Sequence, residues 1–140
     1  PPPFEKALTF CPGCLVVQGP TFAYDPHAAA ELSKLPAMSN WPLVVLVDNA
    51  EQAARSSVNF LWTTFTRFEP ASDIHANKLE LVCSQPSYTP PIVIDSRMKP
   101  GYPDELFCDP DTAALVSQRW NEYFPSGGIE MGDSDRGHLD

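Results

Sequence analysis

Pro42-Leu43-Val44-Val45-Leu46-Val47-Asp48 is the stretch on which the fold turns. Its interior is aliphatic and rich in β-branched Val, with no polar alternation. Such a run suits a strand covered on both faces, and strands of that kind usually belong to a parallel sheet with helices on either side. The run closes on Asp48-Asn49, and either residue can cap a following helix. Within that helix Val58, Leu61, Trp62 and Phe65 recur at i, i+3, i+4 and i+7, one apolar stripe that predicts a core-facing surface with Trp62 inside it. Ser56, Ser57, Asn59 and Thr63 fall largely off the stripe. Glu69-Pro70 breaks the helix.

Further downstream, two strands are expected, Leu79 to Cys83 and Pro91 to Asp95, joined by a Pro- and Ser-rich loop over 84–90. Asp109-Pro110-Asp111 opens a helix to about Phe124 whose buried face should carry Val116, Trp120 and Tyr123. Ser126-Gly127-Gly128 ends it, and a polar tail follows. Upstream, residues 1–10 read as an N-terminal arm. Leu15-Val16-Val17 is a short strand candidate closed by Gly19-Pro20. Asp25-Pro26 then announces a short helix from His27 to Leu35, stopped before Pro36. Strands alternating with helices predict an α/β fold: a single layered domain with a mostly parallel sheet flanked by helices. Its expected organisation is an arm and short helix over 1–40, the α/β domain over 41–125 and a flexible tail over 126–140.

Composition narrows the function classes. The chain has 140 residues, enough to bury a single core, and is 43% hydrophobic with eight Phe and three Trp, which marks it as globular. Nine basic against eighteen acidic residues give a net charge of −9, the wrong sign for a nucleic-acid backbone or an anionic membrane surface. No apolar run approaches the roughly 20 residues of a membrane helix. Pro1-Pro2-Pro3-Phe4 lacks the positive flank and apolar stretch of a secretory signal. Four cysteines, Cys11, Cys14, Cys83 and Cys108, are too irregularly spaced for a secreted disulfide scaffold, so a cytoplasmic chain with reduced thiols is expected.

The motifs that carry chemistry are few. Cys11-Pro12-Gly13-Cys14 has the spacing of a metal knuckle or redox pair. Zinc would need further ligands, and Cys83 and Cys108 stand far away, while nothing in the spacing demands His27. Two partly buried structural cysteines are the expectation, and a metal-binding or regulatory interaction module organised by Cys11 and Cys14 is the alternative. Asp48 ends a buried strand, where open α/β sheets place ligands. No Gly-rich turn follows any strand, so a dinucleotide site is excluded and a helix cap is the expected role. His75 and His138 lack triad partners, and no Gly-x-Ser-x-Gly elbow occurs. Asp95, Arg97 and Lys99 read as a surface ion-pair cluster at a strand end.

Several segments together resemble a known family. These are the strand Pro42 to Asp48, Asn59-Phe-Leu-Trp-Thr-Thr-Phe-Thr-Arg67, Pro70-Ala-Ser-Asp-Ile74 and Pro91-Ile-Val-Ile-Asp-Ser-Arg-Met-Lys-Pro100. From Trp41 to about Pro103 the chain is similar to the C-terminal domain of the UbiD family, the prenylated-FMN-dependent carboxylases and decarboxylases. The most specific part is Trp62 with Thr66-Arg67, followed by Pro70 and Asp73. The resemblance implies a C-terminal domain or small subunit that supports assembly and closes a substrate pocket for aromatic or α,β-unsaturated acids. It implies oligomer contacts and a larger flavin-binding domain or subunit that holds prenylated FMN, its metal ion and the catalytic carboxylates. No catalytic residue carries over to this chain. Phe68 to Tyr88 is the candidate pocket wall, with Arg67, Phe68 and Tyr88 as its pocket or lid residues. The other reading of Arg67 is an internal anchor for loop carbonyls.

Overall fold

The computed structural model describes residues 4–103 and 109–127. They form an α/β arrangement with a five-stranded mixed sheet and four α-helices. The chain divides into two compact units, Pro1–Tyr102 and Pro103–Asp140. The sheet lies wholly in the first unit, and the second is described after it.

In the first unit the elements run β1 (Lys6–Cys11), β2 (Cys14–Gln18), α1 (Ala28–Leu32), β3 (Leu43–Val47), α2 (Ala50–Ala54), α3 (Ser57–Thr66), β4 (Ile74–Val82) and β5 (Gln85–Asp95). The strand order is β1-β2-β3-β5-β4. β3 is central and runs parallel to β2 and β5, while the outer pairs β1–β2 and β4–β5 are antiparallel. The sheet is therefore mixed rather than mostly parallel. Each outer strand is joined to its neighbour by a two-residue turn, and a turn that short permits only antiparallel pairing.

Both faces of β3 are covered. Val44 and Leu46 join Leu15, Val17, Val93 and the α1 residues Ala28, Ala29 and Leu32 in one cluster. Val45 and Val47 join Cys14, Val16, the α2 residues Ala50 and Ala53, and Phe60 of α3 in the other. At roughly 25 cal/mol per Å² of apolar surface, these two clusters are the main favourable term available to the unit. The stretch expected as an N-terminal arm supplies β1, whose Leu8 and Phe10 pack against the second cluster, with Phe10 stacked on Phe60 at 3.9 Å between ring centroids. Gly19 passes so close to β3 that a Cβ there would lie 2.7 Å from Leu46 Cδ1.

From Gln85 onward, the Pro- and Ser-rich stretch expected as a loop is strand. β4 and β5 form a long hairpin turned by Cys83-Ser84, whose φ values of 52° and 64° are those of a type I′ turn. Only the far end of β5, Ile92 to Asp95, pairs with β3. The rest of the hairpin is a two-stranded ribbon, so Pro86 and Pro90 sit where no second ladder asks for an N–H.

The helix after β3 is two helices. Asn49, not Asp48, caps α2 by accepting from the Gln52 N–H at 3.0 Å, and Ser56 restarts the chain as the cap of α3, accepting from the Asn59 N–H at 3.1 Å. α3 also faces opposite to its apolar stripe. Val58, Leu61, Trp62 and Phe65 are 59%, 53%, 51% and 60% exposed, while Asn59, Phe60, Thr63 and Thr64 are buried. The expectation that Trp62 lies in the core is thus overturned for this unit. The Thr64 hydroxyl is buried without a hydrogen-bond partner among the described residues.

In the second unit α4 (Pro110–Tyr123) begins where Asp109-Pro110 predicts. The Asp109 carboxylate accepts from the Thr112 N–H at 2.9 Å and its hydroxyl at 2.7 Å. Val116 and Trp120 are half-buried, but Tyr123, expected on the buried face, is exposed. Cys108, His138 and all but the first two residues of the expected tail lie outside the described residues. Among the described residues no helix is long and apolar enough to cross a membrane.

The orientation of α3 gives a direct test. Trp62→Glu in this chain should change its unfolding free energy by no more than about 0.5 kcal/mol, the surface-substitution range. Loss of roughly 3–5 kcal/mol in denaturant unfolding, the range for truncating a core aromatic, would place Trp62 inside.

Candidate functional site

The carboxyl ends of β3 and β5 lie side by side, because these strands are parallel neighbours. Three carboxylates and three cations converge there: Asp48, Asp73 and Asp95 with Arg67, Arg97 and Lys99. Asp48 follows β3 and Asp95 ends β5, with Arg97 and Lys99 on the segment that follows. Arg67 terminates α3, and Asp73 immediately precedes β4.

Arg97 is the centre of this group. Its Nε and Nη2 donate to the two Asp95 carboxylate oxygens at 2.9 and 2.7 Å, a bidentate fork. Both side chains are buried, at 0% and 1% exposure. Nη1 donates to the carbonyls of Pro20 and Asp25 at 2.8 and 2.9 Å, which fastens the loop between β2 and α1. The guanidinium also sits 5.3 Å from the centroid of the Phe22 ring. Burying two charges costs several kcal/mol per ion, and only full pairing and hydrogen bonding offsets that. Here both are met. The expected surface cluster is therefore a buried one.

Lys99 extends the network. Its ammonium pairs with Asp73 at 2.9 Å and donates to the carbonyls of Arg67 and Asp95 at 2.7 and 2.9 Å. Asp73 in turn accepts from the Glu69 N–H at 2.7 Å and the Ser72 hydroxyl at 3.0 Å, closing the loop after α3. Asp48 accepts from the Met98 N–H at 2.7 Å and lies 3.6 Å from Arg67, so it ties β3 to the segment after β5 rather than capping a helix. Burial pushes the Arg67 guanidinium below its usual pKa and the neighbouring Asp48 pushes it back up. Half-buried His75 on β4 is held below its ordinary value, chiefly by burial, against the opposing pull of Asp95 and Asp73.

The same edge touches the inward face of α3. The Ser96 hydroxyl donates to the Thr64 carbonyl at 3.2 Å, and Asn59 and Ser56 bond each other at the helix start. α3 thus buries Asn59, Thr63 and Thr64 beside Phe60 and leaves its apolar stripe outside.

Of the sequence-derived candidates, Arg67 and Phe68 stand together at this edge, Arg67 buried and Phe68 half-buried with its ring 6.0 Å from Phe65. Tyr88 does not join them. It lies on the hairpin ribbon opposite Leu79, seven positions before Asp95 and so roughly 23 Å of extended chain away. Asp48, expected as a helix cap, and Asp73, noted only within the family resemblance, are part of the site. Asp48 was signalled by its place at the end of a buried strand, and Asp73 by its place in the family pattern after Pro70. Cys11 and Cys14 lie at the opposite, amino-terminal end of β2, Cys11 exposed and Cys14 buried. Among the described residues no group of three or more His, Cys, Asp or Glu is arranged to hold a metal ion.

The fold and the site thus define an α/β unit whose carboxyl edge is a closed ion network. Curated relatives give this class a context. The chain is 48% identical over 117 residues to an uncharacterised protein of Chlamydia caviae, covering 84% of this chain and 20% of that protein. It is 42% identical over 122 residues to a Chlamydia pneumoniae protein named as a subunit of 4-hydroxybenzoate decarboxylase, covering 87% of this chain and 20% of that one. A third, uncharacterised protein of Chlamydia trachomatis serovar D is 41% identical over 124 residues, covering 89% and 21%. The chain therefore spans about one fifth of the length of the curated relatives it matches. No family model matches it, and no solved structure does.

The network makes a quantitative prediction. Asp95→Ala strands a buried guanidinium and should lower the unfolding free energy by about 3–5 kcal/mol, measured by urea denaturation. Adding Arg97→Met should recover part of that loss, because the unpaired charge goes too. A double variant as unstable as the sum of the two single variants would show that the pair is not coupled.

Proposed function

We propose that this chain is a supporting segment of a UbiD-like prenylated-FMN-dependent carboxy-lyase acting on aromatic or α,β-unsaturated carboxylic acids. The observation that carries the reading is the 42% identity, over 87% of the chain, to the protein named as a 4-hydroxybenzoate decarboxylase subunit. The family resemblance of Asn59 to Arg67 and of Asp95 to Pro100 points the same way. In this reading the flavin, its metal ion and the catalytic carboxylates belong to a larger flavin-binding domain or subunit.

The chemistry of the site supports that division. A phosphate or pyrophosphate group needs a close backbone approach at a helix N-terminus, usually over glycine. β3 instead enters α2 through Asp48-Asn49, so the flavin phosphate does not fit there. The six charges at the carboxyl edge bind one another, and the edge serves to hold loops in place. Prenylated FMN supplies the electron sink for decarboxylation when bound, and the part left to this segment is to help shape a dry site around it. Arg67 and Phe68 are the wall residues in this proposal, and Tyr88 would take part from the hairpin ribbon.

Two exposed apolar surfaces support a role in assembly. One is the α3 stripe of Val58, Leu61, Trp62 and Phe65. The other is one face of the β4–β5 ribbon, where the register places Leu79 and Leu81 opposite Tyr88 and Pro86. Leu79 and Leu81 are among the exposed apolar residues of the chain. Such surfaces on one unit suit contacts with another part of the assembly.

In the longer enzyme that carries this segment, Trp62→Glu combined with Phe65→Glu should lower decarboxylation of an aromatic acid by on the order of tenfold or more. The same pair of changes in the 140-residue chain should leave its secondary structure intact by circular dichroism. Unchanged turnover in the doubly substituted enzyme would remove the stripe from the assembly.

A further inference from the structure

We propose that Cys11 and Cys14 form a redox-active dithiol at the tip of the β1–β2 hairpin, oxidised to an intra-turn disulfide by low-molecular-weight disulfides such as glutathione disulfide. Neither the ion network nor the apolar surfaces use this pair.

The geometry is set by the strand pairing. Cys11 and Cys14 are direct register partners across the turn Pro12-Gly13. Register partners on antiparallel strands have Cα atoms roughly 4.5–5.5 Å apart, inside the range of about 4.4–6.8 Å that a disulfide requires. Gly13 takes the left-handed conformation, φ +86°, that lets the chain reverse in two residues. Side chains directly opposite each other on antiparallel strands lie on one face with Cβ atoms roughly 4.5–5.5 Å apart, so the two thiols face each other across the turn. Both thiols are free, one exposed and one buried. That asymmetry assigns the order of events.

In the first step the exposed Cys11 thiolate attacks one sulfur of the small disulfide. A new S–S bond forms on Cys11 and the old one breaks, releasing the first thiol of the small molecule. In the second step the Cys14 thiolate attacks Cys11 Sγ, breaks that mixed disulfide and releases the second small thiol. The two cysteines together lose two electrons and two protons, and the small disulfide gains them as it becomes two thiols. Cys14 is the slow partner. Its thiol is pushed up to about 11, first by burial and then by the charge and hydrogen bond of Cys11. Capping Cys11 removes the charge repulsion but not the burial, so closure should wait on a scarce thiolate and quicken with pH.

The test uses the 140-residue chain with Cys83→Ser and Cys108→Ser, leaving the pair as its only thiols. It is incubated with mixtures of oxidised and reduced glutathione, quenched in acid and examined by intact mass with alkylation. The expected product has no alkylatable thiol and is lighter by about 2 Da than the reduced chain. A glutathione adduct should appear first and close about tenfold faster for each pH unit between roughly 7 and 9. With exposed Cys11 replaced by Ser, Cys14 should acquire glutathione at least tenfold more slowly than Cys11 does in the parent. An adduct that persists on Cys11 without closing, or two thiols that stay alkylatable in excess glutathione disulfide, would overturn the proposal.

Discussion

The bidentate contact between Arg97 and Asp95 holds the rest of the unit in place. It lies at the end of β5, fully enclosed, and its remaining donors reach back to the carbonyls of Pro20 and Asp25, more than seventy residues earlier in the chain. Through that one guanidinium the loop after β2 and the end of β5 become a single edge. Lys99 adds the end of α3 and the loop before β4 by way of the Arg67 carbonyl and Asp73. Asp48 adds the end of β3. Removing the central contact would leave buried charges where these elements meet at the sheet's carboxyl edge, and low polarity there makes an unpaired charge most costly.

This edge also decides what α3 can offer to a partner. The Ser96 hydroxyl reaches the Thr64 carbonyl and Phe60 reaches the core, so the face of α3 that turns inward is the one opposite Trp62 and its neighbours. With that face inward, the stripe is left outside. Phe60 alone among the large apolar residues of α3 reaches the second core cluster, where it meets Phe10. A unit built this way is stable through its central strand and its ion network. It also presents exposed apolar surface on α3, and it aligns to about one fifth of its relatives' length.

The central strand was legible because covering both faces of β3 removes any need for polar alternation, and Leu43 to Val47 shows none. The start of α4 was legible because Asp-Pro followed by a polar first turn is a local signal that needs no tertiary context. The hairpin was not. Its turn, Cys83-Ser84, lacks the Asn-Gly that usually marks a type I′ turn, and its prolines are tolerated only because most of β5 has a single ladder. β1 carried a readable signal in the alternation of Leu8 and Phe10, hidden among polar neighbours and followed by a turn of only Pro12-Gly13. The direction of α3 could not be read from periodicity, which finds an apolar face but says nothing of whether that face meets its own sheet or another body. The charged residues after β5 were placed at the right strand end, yet their burial depends on carbonyls from Pro20 and Asp25 that no local pattern connects to them.

The central proposal is that the charges of this unit hold loops together and that the bond-breaking chemistry belongs to a flavin-bearing partner region. Incubating the isolated 140-residue chain with prenylated FMN and an aromatic acid such as 4-hydroxybenzoate, then measuring both retained flavin and released carbon dioxide, tests it most directly. The account predicts no flavin retained after gel filtration and no carbon dioxide above the protein-free control. Stoichiometric flavin with sustained turnover from this chain alone would contradict it.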